Sequence, residues 1–223
     1  MHRKVVTTTE LMKLRTDYME PLFEGAVYPW EILPRIGSFI KALLQDPPVG
    51  FTLFKEGILV GENVTISDTA TVLPPAVLGP GTEVRPGAYL RGNVITGSRC
   101  VLGNSSEFKN CVLLEHVQAP HYNYVGDSVL GNDSHMGAGS ICSNLKADGK
   151  NITIHGEEGI PTSLRKIGAI LGDGADIGCG SVLNPGTVIG KGTRVYPLTS
   201  VRGVIPEKSI VKSADCIVDL EER

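Results

Sequence analysis

From Val60 onward an apolar residue stands at every sixth position: Val60, Ile66, Val72, Leu78, Val84, Leu90, Thr96, Leu102, Phe108 and Leu114, with Thr96 the one weak member. The spacing resumes at Leu171, Ile177, Leu183, Ile189, Val195 and Val201. The residue two places before each gives an independent check. Ala70, Ala76, Thr82, Ala88, Val94, Cys100, Ser106 and Val112, then Ala175, Ser181, Thr187, Thr193 and Thr199, are all small or β-branched. A six-residue unit with two inward positions is too short for a hairpin and cannot bury a face alone, so the units must stack into a solenoid. Three units make one coil, and successive coils lie ~4.8 Å apart, the spacing of hydrogen-bonded strands. The expected fold is all-β, a parallel β-helix over residues 51–204. The period does not set its hand, and right-handed crossover is the general rule for parallel strands.

Before Pro47-Pro48 the pattern differs. "TTTELMKLRTDYMEPLFEG" and "PWEILPRIGSFIKALLQ" have helix-like apolar spacing, so residues 1–50 are expected to form a separate α-helical segment. Thr8 or Thr9 is placed to cap the first helix, with Glu10 complementing its dipole, and Trp30 is expected to anchor the segment. Residues 205–223 read as a C-terminal tail. At 223 residues the chain suits one domain with an appendage. A net charge of -3 with no Lys/Arg run argues against nucleic acid and favours small-molecule partners. No apolar run approaches the ~20 residues of a membrane span, and "MHRKVVTTTE" lacks a signal peptide's apolar stretch, so a cytoplasmic location is expected. The five cysteines include no Cys-x-x-Cys pair, which predicts reduced thiols and no structural metal; Cys100 and Cys142 fall on inward rows as core.

The hexad rhythm breaks twice. Between Leu114 and Leu130 it becomes irregular, and there lies "APHYNYVGD" (119–127). After Cys142, "NLKADGKNITIHGEEGIPTSLRKIGAI" interrupts it, which predicts a loop insertion at 145–166. Excursions from a rigid scaffold are where chemistry is usually carried. His121 suits a general base because imidazole titrates near working pH, although a lone loop histidine is more often merely solvated. Asn144 could donate to a developing oxyanion. Arg91 and Lys109 each follow an inward residue 18 positions apart, so they should stack on neighbouring coils. Like charges there are unfavourable unless an anion lies between them, or unless Glu107 or Glu83 neutralises them as surface pairs.

"RPGAYLRG", "GNSSEFKNC", "PHYNYVGDSVLGNDSHMGAGSICSN" and "DGKN" together resemble, in order, the acetyltransferase half of bifunctional N-acetylglucosamine-1-phosphate uridylyltransferase/glucosamine-1-phosphate acetyltransferases. The resemblance covers roughly residues 60–205 and implies a left-handed β-helix that assembles as a homotrimer with its sites between subunits. It implies an N-acetyltransferase of nucleotide-sugar biosynthesis, with acetyl-CoA as donor and an amino-sugar 1-phosphate as acceptor. Carried over by motif, the catalytic base falls on His121, the phosphate ligands on Arg85 and Lys109 in preference to Arg91, and substrate contacts on Tyr124, Asn144 and Lys150. His135 stands where the family has an asparagine and is a further candidate substrate contact. The family's nucleotidyltransferase domain has no counterpart in this sequence, so uridylyl transfer is not expected. Two alternatives remain open. One is a non-catalytic trimerisation or effector-binding β-helix that partners a separate sugar nucleotidyltransferase chain. The other is a zinc enzyme resembling γ-class carbonic anhydrases, using His116, His121 and His135.

Overall fold

The structure, a computed structural model, describes residues 6–156 and 158–221. Short strands lie on three flat faces of a left-handed parallel β-helix. The first face stacks Ile58–Val60, Ala76–Leu78, Val94–Thr96, Cys111–Leu113, Val129–Leu130, Ala169–Leu171, Thr187–Ile189 and Val204–Ile205, all parallel. The second includes Glu83–Val84, Val101–Asn104, Gln118–His121, His135–Met136, Asp176–Ile177 and Arg194–Val195. The third runs through Tyr89–Arg91, Glu107–Lys109, Tyr124–Gly126, Ile141–Cys142, Val182–Leu183 and Ser200–Val201.

The hexad residues form the core as their spacing requires: Leu78, Val84, Leu90, Leu102, Phe108, Ile177, Leu183 and Ile189 are buried together. The small second row fills the space between them. Its polar members are satisfied, as where the Thr82 hydroxyl donates to the Gly97 carbonyl at 3.1 Å. Cys100, Cys111 and Cys142 are all buried free thiols, and burial pushes Cys100 and Cys142 up to about 12.

The register differs from the sequence reading at one place. Leu113, not Leu114, pairs with Thr96 and enters the core with Cys111, while Val112 and Leu114 face outward. The step from Phe108 to Leu113 is therefore five residues, and so is the step from Val125 to Leu130. The turns that absorb them contain Asn110 at φ 49° and Asp127 at φ 48°, left-handed conformations that asparagine and aspartate tolerate better than most residues. "APHYNYVGD" itself keeps the register, since Ala119 pairs with Leu102 and Val125 with Phe108. The breaks lie on either side of its inward residues.

The N-terminal segment is more broken and less separate than expected. Its α-helices are Thr8–Leu11, Glu20–Phe23 and Ile36–Gln45, with 3-10 turns at Asp17–Met19 and Pro29–Arg35. Pro21 and Pro29 stand at the starts of their elements, where proline is tolerated, and Pro34 lies inside the second 3-10 turn, just before the last helix. The first N-cap is Thr7, whose hydroxyl donates to Glu10 Oε2 at 2.6 Å, while Thr8 is buried and donates to the Val27 carbonyl. Leu11, Met19, Trp30, Ile36 and Ile40 form one apolar cluster with Leu59, Val77, Ile95, Val112, Val129 and Ile170, the outward residues of the first face. Trp30 is stacked on Tyr28 within it, at 4.7 Å between ring centroids.

The insertion also lies on this face. It is not a bare loop. Thr153–His155 and Gly159–Pro161 form an antiparallel hairpin, the flanks meet at a Leu145–Lys166 bridge, and Ile152 and Ile154 join the same cluster. In the C-terminal stretch, Ser209–Ser213 adds a parallel strand to the second face and pairs back on Cys216–Asp219. No helix among the described residues is long and apolar enough to cross a membrane.

Candidate functional site

At the corner between the second and third faces, Asn123 turns inward and is buried. Its backbone N–H donates to Ser106 Oγ at 3.0 Å, and its side-chain amide donates to the Gly137 carbonyl at 2.8 Å and Ser140 Oγ at 3.1 Å. Asn123 Oδ1 accepts from the His121 backbone N–H at 3.1 Å. One amide thus spans three coils and fixes the backbone on which His121 stands. His121 and Tyr122 point outward, Tyr122 with φ 53° and 65% exposure. Glycine is required at 103 on the coil above, because a Cβ there would run into the Pro120 backbone.

The third face gathers a second group. Tyr124 lies across it over Gly126, where a Cβ would meet the phenol, and its hydroxyl accepts from Asn144 Nδ2 at 3.1 Å. The hub is Asp127, whose side chain is only 7% exposed. Its carboxylate accepts from Asn144 Nδ2 at 2.6 Å, Asn110 Nδ2 at 2.9 Å and Lys109 Nζ at 3.2 Å. Burial, and then the negative charges of Asp127 and Glu107, raise the Tyr124 phenol above its usual range, so it stays a neutral hydroxyl. Arg91 stands on the coil above Lys109 and donates to Glu107 Oε1 at 2.6 Å. The two cations are thus stacked as their spacing predicts, each already facing a carboxylate.

Three of the predicted site residues, Lys109, Tyr124 and Asn144, are therefore brought together. The others are not. Arg85 lies on the second face, bonded to Glu83 Oε2 at 3.1 Å. His121 ends the strand Gln118–His121 at the corner, whereas the Tyr124 hydroxyl lies by Gly126 and Asn144. His135 is on the second face with Nδ1 2.9 Å from Asp176 Oδ1, and Lys150 is exposed on the insertion, its backbone N–H bonded to Asp148. Sequence reading missed Asp127. A signal was available: Asn110, Asp127 and Asn144 are spaced 17 apart, the length of a coil containing one five-residue step. The zinc alternative loses its ligand set, because His116 sits before the strand Gln118–His121, against Arg99 and Asp133, while His121 ends that strand. Among the described residues no three His, Cys, Asp or Glu side chains are grouped to hold a metal.

Known proteins can be set beside this geometry. The bifunctional protein GlmU of Methanococcus vannielii is 36% identical over 155 residues, 67% of this chain and 37% of that protein. GlmU of Methanococcus maripaludis is 37% identical over 175 residues, 76% of this chain and 42% of that protein. The chain is related to the C-terminal region of GlmU. It spans about two fifths of the length of these GlmU relatives. A bifunctional sugar-1-phosphate nucleotidylyltransferase/acetyltransferase of Sulfurisphaera tokodaii is 33% identical over 110 residues, 49% of this chain and 27% of that one. The family model described as GMPPB C-terminal domain matches residues 72–164. Among solved structures, AntD, an N-acyltransferase from Bacillus cereus in complex with dTDP and 3-hydroxybutyryl-CoA, aligns at 16% identity and a TM-score of 0.41, covering 82% of this chain and 88% of that one. The acetyltransferase domain of PglB from Neisseria gonorrhoeae in complex with acetyl coenzyme A aligns at 17% identity and a TM-score of 0.35, covering 75% and 59%.

Proposed function

We propose that the chain is an acyl-CoA-dependent N-acyltransferase acting on an amino sugar that carries an anomeric phosphate, with acetyl-CoA and a glucosamine 1-phosphate-like acceptor as its substrates. The observation that carries this reading is the convergence of Lys109, Tyr124 and Asn144 around Asp127 in a relative of the C-terminal region of GlmU. Lys109 and Arg91 supply stacked cations for the phosphate, Arg91 sharing the face with Lys109 and Tyr124 whereas Arg85 does not. Tyr124 as a neutral phenol and Asn144 as an amide position the sugar.

The amino nitrogen attacks the thioester carbonyl, a C–N bond forms, the C–S bond breaks, and the proton lost from nitrogen ends on the coenzyme A sulfur. His121 removes that proton, exposed at its corner with its backbone pinned by Asn123. His121 and the Lys109 group occupy different flanks of one chain. A threefold assembly that sets the corner of one copy against the third face of the next would complete the site, and this supports the trimeric reading.

The test follows thiol release from acetyl-CoA with glucosamine 1-phosphate as acceptor. Turnover that His121→Ala lowers by at least tenfold in kcat is expected. Absence of thiol release above background overturns the substrate assignment, and turnover indifferent to His121→Ala overturns the base.

A further inference from the structure

The column that carries Arg91 and Lys109 continues down the edge of the third face, one residue per coil, through Gly126, Ser143, Asn184 and Arg202, each directly following a core residue. It is cationic at both ends and small or uncharged between them. Arg202 lies four coils from Lys109, which is ~19 Å at the strand spacing of parallel sheets.

At the Arg202 end the insertion stands beside the column and borders an open cleft of about 500 Å³. Ser143, Asn184 and Arg202 line it from the solenoid, and Lys146, Asp148 and His155 from the insertion. Asp148 faces Lys146, with Oδ2 3.5 Å from Nζ, and Lys146 also reaches the Asn151 carbonyl at 3.4 Å. Two cations, Lys146 and Arg202, against one carboxylate, in a space of ligand size, form an anion-binding environment to which His155 adds a ring nitrogen, and arginine adds the fork geometry that phosphate oxygens accept. Ser143 and Leu145, the sequence neighbours of Asn144, also line the cavity, and Asn144 in turn bonds Tyr124.

We propose that this cleft is a second anion site, built by the insertion, that takes the diphosphate of a nucleotide-bearing substrate while that substrate's reacting end extends toward Asn144 and Tyr124. The proposal rests on the acyl-transfer reading for which end reacts. Two substrates carry the required group: coenzyme A in its ADP portion, and a nucleotide-linked amino sugar.

The test is a binding measurement, so it stays distinguishable from the activity assay above. Inorganic pyrophosphate, UDP and coenzyme A are each titrated into the full chain by calorimetry. Pyrophosphate and at least one of the two nucleotides are expected to bind. Arg202→Gln and Lys146→Gln are each expected to weaken that binding tenfold or more, with the ligand-free melting temperature unchanged. Arg202→Lys, which keeps the charge, is expected to retain more of the affinity than Arg202→Gln, separating loss of charge from loss of fold. Weakening confined to UDP assigns the cleft to a nucleotide-linked sugar, and weakening confined to coenzyme A assigns it to the acyl donor. Wild-type protein that binds none of the three, or glutamine variants that bind as wild type does, overturns the proposal even if acetyl transfer is found. A cleft that binds in a protein inactive on glucosamine 1-phosphate leaves the site standing and removes that acceptor.

Discussion

The first and third faces are built on the same core yet have opposite fates. Outward positions of the first face are Leu59, Val77, Ile95, Val112, Val129, Ile170, Val188 and Val204, and the chain covers them with its own helices and hairpin. The corresponding positions of the third face include Tyr89, Glu107, Tyr124, Ile141 and Ser200, and among the described residues none of these belongs to an apolar cluster. The inward rows specify a solenoid in either case. The outward row decides the outcome: a row that is aliphatic on every coil is covered by packing, while one interrupted by aromatic and ionisable residues stays open.

The largest expected effect tests the closed face. Ile170→Asp puts a carboxylate beneath the helices and hairpin and is expected to cost more than about 3 kcal/mol in denaturant unfolding. Tyr89→Asp on the open face is expected to change stability by less than about 1 kcal/mol. Similar losses from both would break the comparison. Asp127→Ala comes next, because it strips a buried acceptor from Asn110, Asn144 and Lys109. A loss of about 1–3 kcal/mol is expected, with a larger fall in kcat/KM than in stability if the hub orients the substrate residues.

Arg91→Ala removes a solvent-screened surface ion pair, so its denaturant midpoint should stay at the wild-type value. The KM for a sugar phosphate, by contrast, should rise several-fold. An unchanged KM would take Arg91 out of the anion site. A further effect, set by pH, belongs to the core behind both faces. Cys100 and Cys142 are raised from 9.0 to about 12 by burial, so above pH 9 the unfolded chain gives up thiol protons that the folded chain keeps. Stability falls as pH rises through that window. The melting temperature should be lower at pH 10 than at pH 8, with the same drop in Arg91→Ala as in wild type.

The solenoid was legible because two inward positions in six leave a pattern that chance does not sustain. The five-residue steps were not, because Cys111-Val112-Leu113-Leu114 is apolar throughout and offers no contrast from which to choose a register. The hairpin was hidden for a related reason: Ile152, Ile154 and Ile160 alternate over too few residues to stand out from a Gly-rich loop. In the candidate site, Lys109, Tyr124 and Asn144 could be named one at a time from motifs. Asp127 could not, since its meaning lies in what sits one coil above and one below. Separation of His121 from that group was equally invisible, because three residues of sequence hide a corner.

A column supplied with one residue per coil has a further consequence. The distance between Lys109 and Arg202 is quantised, since neither can approach the other by less than the rise of a whole coil without putting every core ladder out of step. Tuning such a protein to a longer or shorter ligand therefore calls for gain or loss of a complete coil, much as a ruler is cut only at its graduations, while point substitutions adjust what is held at each mark.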